Sequence, residues 1–178
     1  MNNISFGKKY NIEQQEQYLQ KAKELAQKSI CERAKVGAVI VAQNDEIIGE
    51  GFNAVPAGLK SCKALGGCPR RTLSKIIPNI SYQHSCQAIH AEQNALLSAG
   101  YKNAEGATLF LYGIKDICTN CQRLLIQAKI NDFYIKPNET SKIRYLNIKD
   151  VIKITNRLFK RKIRFLHPIK FLKKLIGK

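Results

Sequence analysis

Two short phrases constrain this chain more than anything else in it. Residues 90–97 read H-A-E-Q-N-A-L-L, placing His90 and Glu92 at the head of an apolar run. Residues 117–122 read I-C-T-N-C-Q, placing Cys118 and Cys121 where a strand gives way to a helix. At a helix start, positions i and i+3 point the same way, so two sulfurs there can grip one ion. The positive end of the helix dipole also favours the thiolates that a metal requires. If His90 completes the set, the starts of two helices must meet in space with a strand lying between them.

One imidazole and two thiolates suit tetrahedral Zn²⁺ with a fourth position left open for water. Glu92, two positions from His90, lies close to that water without being a ligand. A carboxylate there can take a proton from a water acidified towards pH ~7 and pass it to a substrate nitrogen. Alone, either phrase is weak: a structural zinc knuckle or a redox pair explains a CxxC, and an H-x-E is common. Together they form the signature described for zinc nucleobase deaminases, H-x-E…P-C-x-x-C, with Ile117 in the place of the proline.

The chain around these phrases is long enough for one domain with its own core, at 178 residues and 44% apolar. No apolar run approaches the ~20 residues needed to span a bilayer. The opening residues lack the apolar stretch of a secretory signal, so a soluble, cytoplasmic protein is expected. In a reducing compartment the six cysteines then read as metal ligands, catalytic groups or buried thiols rather than three disulfides.

Charge is unevenly spread. Of the net +17, the segment 141–178 carries most, with 13 Lys/Arg against Asp150 alone. A deaminase-type domain at 1–140 followed by a basic, helical C-terminal extension at 141–178 is therefore expected. Such an extension points to an anionic partner, nucleic acid or an anionic surface, or merely keeps the protein soluble.

Apolar positions from Ile12 to Ile30 recur with helical spacing. Val36–Ala42 and Glu46–Asn53 flank the turn pair Asn44-Asp45 and predict a β-hairpin. Residues 54–85, rich in Gly, Pro, Cys and Ser, read as a long irregular loop. A helix over 90–99 closed by Gly100, a strand over 107–113, a helix over 119–129 and a strand over 132–136 follow. Beyond Pro137, residues 145–164 have the texture of an amphipathic helix broken at His167-Pro168, with a further short helix over 169–176. The β-β-α-β-α-β alternation predicts an α/β fold with helices packed on a sheet.

With V-G-A-V-I-V (36–41), G-F-N-A-V-P-A-G (51–58), G-G-C-P-R (66–70), G-A-T-L-F-L (106–111) and the two metal phrases in hand, the chain resembles the cytidine/deoxycytidylate deaminase superfamily. The likeness is greatest to its deoxycytidylate (dCMP) branch and covers about Cys31 to Lys136. It implies a three-layer α/β/α sandwich with a mixed five-stranded sheet, and Zn²⁺ on His90, Cys118 and Cys121 with Glu92 as proton shuttle. It also implies that Asn53 and the backbone of Ala91 contact the substrate, a free pyrimidine nucleotide, and that the protein forms a homo-oligomer, dimer or hexamer. Two departures stand out: Ile117 replaces the usual proline before Cys118, and the segment 112–117 is longer than usual, which affects the pocket rim.

Cys31, Cys62, Cys68 and Cys86 remain. A second, structural Zn²⁺ on these four would staple the long loop, and some dCMP deaminases resemble the chain in having one; His84 is an alternative ligand. Small buried thiols are the other reading. Arg70 and Arg71 read equally as phosphate ligands and as solvated loop charges. Tyr112 reads as a packing residue or a base-stacking one, and His167 as an incidental helix-end residue. Three functions stay open: deamination of free dCMP, deamination of cytosine or adenine in nucleic acid, and a non-catalytic zinc-stabilised nucleic-acid-binding module. The intact Glu92 argues against the last.

Overall fold

The computed structural model describes residues 9–76 and 86–165; His84, His167 and the helix expected over 169–176 lie outside them. Helix α1 (Ile12–Gln27) begins at an Asn11 capping box, in which Asn11 and Gln14 bond each other's backbone N–H. Strands β1 (Gly37–Val41) and β2 (Ile47–Phe52) form the expected hairpin, with a bulge at Ile40/Val41. A 3₁₀ turn (Lys63–Leu65) and helix α2 (Pro69–Ile76) follow. Next come α3 (Ala91–Ala99), β3 (Thr108–Tyr112), α4 (Thr119–Gln127), β4 (Asp132–Lys136), β5 (Arg144–Asn147) and α5 (Ile148–Phe165).

The five strands lie in the order β2-β1-β3-β4-β5. All neighbours are antiparallel except β3 and β4, which run parallel because α4 carries the chain back between them. Alternation along each strand splits the core in two. Val39, Val41, Phe110 and Tyr134 face α1 with Tyr18, Leu19, Ala22 and Leu25. Ala38, Ile40, Leu109, Leu111, Phe133 and Ile135 face the opposite layer, with Ala91 and Ala95 of α3, Leu125 of α4 and Val151 of α5. The result is the expected three-layer α/β/α sandwich on a mixed five-stranded sheet. Leu109, Phe110, Leu111 and Phe133 are fully buried, each stabilising the fold by about 1.5–3 kcal/mol.

Two expectations need correcting. The stretch 54–85 is not wholly irregular, because Pro69 opens a helix, the position where a missing N–H costs nothing. Residues 144–147 are a strand rather than the start of a helix: they pair with β4, and Ile148 N–H bonds the Asn131 carbonyl as α5 begins. The outer edge of the sheet is thus drawn from the segment beyond residue 140.

Helix α3 sits close on β2 because Gly51 lacks a side chain. A Cβ there would collide with the Ala91 carbonyl and the Ala95 nitrogen, backbone atoms with nowhere to move. Gly51→Ala is expected to destabilise the fold by about 1–3 kcal/mol, read as a lowered melting temperature. An unchanged melting temperature would show that α3 can shift off the sheet.

Candidate active site

The heads of α3 and α4 meet beside the sheet. His90 is the N-cap of α3 with extended backbone (φ −74°, ψ 157°), and its N–H donates to Gln93 Oε1 at 3.0 Å. Two backbone bonds between Ala54 and Ile89, at 3.1 and 2.9 Å, tie the residue before His90 to the chain leaving β2. Asn94 Nδ2 adds a 2.8 Å bond to the Phe52 carbonyl. His90 is therefore held from both sides.

Cys118 is the N-cap of α4, again extended (φ −67°, ψ 156°), and its sulfur accepts from the Cys121 N–H at 3.5 Å. Ile117 is buried in the core and its carbonyl accepts from Gln122 Nε2 at 2.7 Å. Isoleucine thus takes proline's place without loosening the approach. Arg144 anchors the long segment before it, bonding Asp116 Oδ1 at 2.9 Å and the Lys115 carbonyl at 2.7 Å.

His90 Nδ1 lies 3.4 Å from Cys118 Sγ and 3.3 Å from Cys121 Sγ. Tetrahedral Zn²⁺, with Zn–N near 2.0 Å and Zn–S near 2.3 Å, would set nitrogen and sulfur about 3.5 Å apart. Among the described residues, this trio is the group whose ligand atoms all lie within 4.8 Å of one another. Its donors and spacing fit zinc.

Electrostatics agree. The Cys118 thiol falls to about 4, chiefly through the hydrogen bond with Cys121 and then through His90, while Cys121 is pushed up. One thiol of the pair is favoured as thiolate and the other is not, and metal binding would require both to lose their protons. Burial opposes the His90 imidazolium, but Cys118 and Glu92 outweigh it and raise its pKa.

Glu92 is 2% exposed, and its Oε1 has no hydrogen-bond partner. Burial is the main cause of its raised pKa. An orphaned carboxylate oxygen in a protein interior is costly, and here it adjoins an open space. His90, Ala91 and Glu92 line a cavity of about 190 Å³, far more than the ~10–15 Å³ one water needs.

Asn53 lines the same cavity and also braces its wall. Its Oδ1 accepts from Val36 N–H at 2.8 Å and its Nδ2 donates to the Ala34 carbonyl at 2.9 Å. Cys31, Cys62, Cys68 and Cys86 converge on this cavity too, as do Arg33, Arg70 and Ile114. Burial raises the Cys62 thiol, with Cys68, Cys86 and Cys31 adding to it. Arg71 points elsewhere, donating to the Glu32 carbonyl at 3.0 Å. Tyr112 packs on the α1 side and donates to Glu139 at 2.6 Å, which removes it from the pocket. Gln93, Asn94, Gln122 and Ile114 support the site without having been singled out from sequence; only Gln93, three after the cap, carried a local signal.

Two cysteines and an imidazole at ligand distance, beside a buried carboxylate whose Oε1 lacks a partner, form a candidate metal centre, and its His90 and Glu92 open on the cavity. The model of the cytidine and deoxycytidylate deaminase zinc-binding region matches residues 12–136, and the chain belongs to that family. It is 40% identical over 119 residues to the deoxycytidylate deaminase of Mycobacterium phage D29, covering 65% of this chain and 88% of that protein. To the deoxycytidylate deaminase of Schizosaccharomyces pombe it is 34% identical over 67% of this chain but only 34% of that longer protein. The crystal structure of the dCMP deaminase of cyanophage S-TIM5 with dCMP and dUMP superposes with a TM-score of 0.56 at 25% identity, over 84% of this chain and 95% of that one.

Proposed function

We propose that this chain converts free dCMP and water to dUMP and ammonia. The observation that carries this reading is Glu92, a buried carboxylate with an open acceptor, lining the same cavity as His90. The names of the relatives and the dCMP- and dUMP-bound cyanophage structure support the choice of substrate.

In this reading His90, Cys118 and Cys121 hold Zn²⁺, which supplies Lewis acidity and lowers the pKa of water at the site. Glu92 accepts the proton that the attacking water releases and delivers it to the pyrimidine ring nitrogen. It then takes the second proton from the hydroxyl now on the ring carbon and passes it to the amino group, which leaves as ammonia as the carbonyl forms, so that one carboxylate serves each transfer in turn. The buried wall around Ala91 excludes bulk water, and the Ala91 backbone orients the pyrimidine. Asn53 uses the second hydrogen of its amide to position the sugar. Arg33 and Arg70 stand on the same cavity and supply cations for the phosphate.

The four other cysteines line the substrate cavity and none is in a disulfide, but among the described residues their sulfurs do not form a group within 4.8 Å of one another as the His90 trio does, so a structural zinc on them requires the loop thiols to draw together as it binds. Metal analysis of protein purified without chelator is expected to give close to two zinc per chain. A value close to one would remove the structural site. Leu97 and Tyr101, 75% and 53% exposed at the outer end of α3, offer apolar surface for the homo-oligomer. Six unpaired thiols accord with a cytoplasmic setting.

Incubation of the zinc-loaded protein with dCMP tests the function: equal amounts of dUMP and ammonia are expected. No turnover by protein shown to be metal-loaded would overturn it.

A further inference from the structure

The last helix is longer than anything it covers. α5 packs on α4 and β5, and the residues that do so are Ile148, Val151 and Thr155, 7%, 2% and 6% exposed. Thr155 Oγ1 reaches Gln122 Oε1 at 2.8 Å, fixing that register. Beside and beyond Thr155 the same apolar arc continues, but it is less completely covered. Ile154 and Leu158, one turn apart, are 38% and 36% exposed, and Phe159 is 37% exposed.

The opposite arc is cationic. Lys149, Lys153, Arg157 and Lys160 fall at three- and four-residue spacing and all are exposed. From Val151 to Lys178 the sequence holds ten Lys/Arg and no Asp or Glu, interleaved with Ile163, Phe165, Ile169, Phe171 and Leu172. No helix among the described residues is long and apolar enough to cross a membrane. What α5 does have, over Ile148 to Lys160, is an apolar arc set against a cationic one.

Charge decides which occupant suits this face. A second copy of the chain would bring the same cations against it. Nucleic acid would neutralise the cations through its phosphates but leave Ile154 and Leu158 in water. The surface of a bilayer rich in anionic lipid satisfies both arcs: headgroups meet Lys and Arg, and the apolar side chains enter the acyl boundary. We propose that α5 docks this protein on anionic membrane surfaces.

The full chain should sediment with vesicles of mixed phosphatidylglycerol and phosphatidylcholine. Pure phosphatidylcholine vesicles should leave it in solution, and raised salt should release it. The double variant Ile154→Gln, Leu158→Gln keeps every charge and should lower partitioning roughly tenfold, because the apolar contribution is lost. Lys153→Glu with Arg157→Glu should weaken it further, and an unchanged melting temperature in either variant shows that the fold survives. No binding to the mixed vesicles would overturn the proposal. So would equal binding by the Ile154/Leu158 variant, or displacement of the vesicles by a single-stranded oligonucleotide at lower concentration, which would make nucleic acid the partner.

Discussion

Glu92→Gln is expected to lower turnover of dCMP by about 10²–10⁴-fold, the usual range for loss of a positioned proton-transfer group. Zinc content should not change, because the proposed ligands are His90, Cys118 and Cys121 and the glutamine fills the same space. The wild-type carboxylate is 2% exposed and leaves Oε1 without a partner. A purely structural residue would not be kept in that costly state, so the variant should be at least as stable as the parent. Near-normal turnover with zinc in place would show that another group moves the protons. Loss of zinc would show instead that Glu92 reaches the metal. Glu92→Ala should behave alike in turnover, with some stability lost to the cavity it leaves.

Cys121→Ser should remove both metal and activity. Cys121 is 1% exposed and its sulfur lies 3.3 Å from His90 Nδ1, so the ligand it supplies is held in place by the core. Turnover should fall by about 10³-fold or more, since several kcal/mol of transition-state stabilisation go with the metal. Stability gives a second readout. A ligand at a thousand times its Kd stabilises the native state by about 4 kcal/mol. Chelator should therefore lower the melting temperature of the parent more than that of the variant. Acidification should also release zinc from the parent, because His90 and the thiolates bind metal only when deprotonated. A variant that kept its zinc at the parent's affinity would show that Cys121 is no ligand.

Much of this was legible in the sequence because the signals were local. The run Val36–Ala42 can only be a buried strand, and Gly100 closes the helix that His90 opens. The ligand trio was readable because its spacing places each member at a helix start. What the sequence concealed depended on partners distant in the chain. The strand Arg144–Asn147 has little strand pattern of its own and adjoins a strongly helical stretch; pairing with β4 makes it a strand. Arg70 and Arg71 are equivalent on paper, yet α2 turns one to the cavity and the other to the Glu32 carbonyl. Tyr112 sits where its strand ends near the site, but alternation sends it to the α1 face. Composition likewise hid α2, because Gly66, Gly67 and Cys68 just before it read as loop until Pro69 is seen at a helix start.

The central claim is that a zinc-assisted carboxylate deaminates a free nucleotide. The most direct test compares ammonia release from dCMP, dCTP, deoxycytidine and a single-stranded cytosine-containing oligonucleotide by one zinc-loaded preparation. The account predicts that dCMP reacts fastest, and that Arg70→Ala narrows its lead over deoxycytidine. Reaction with the oligonucleotide alone would contradict it.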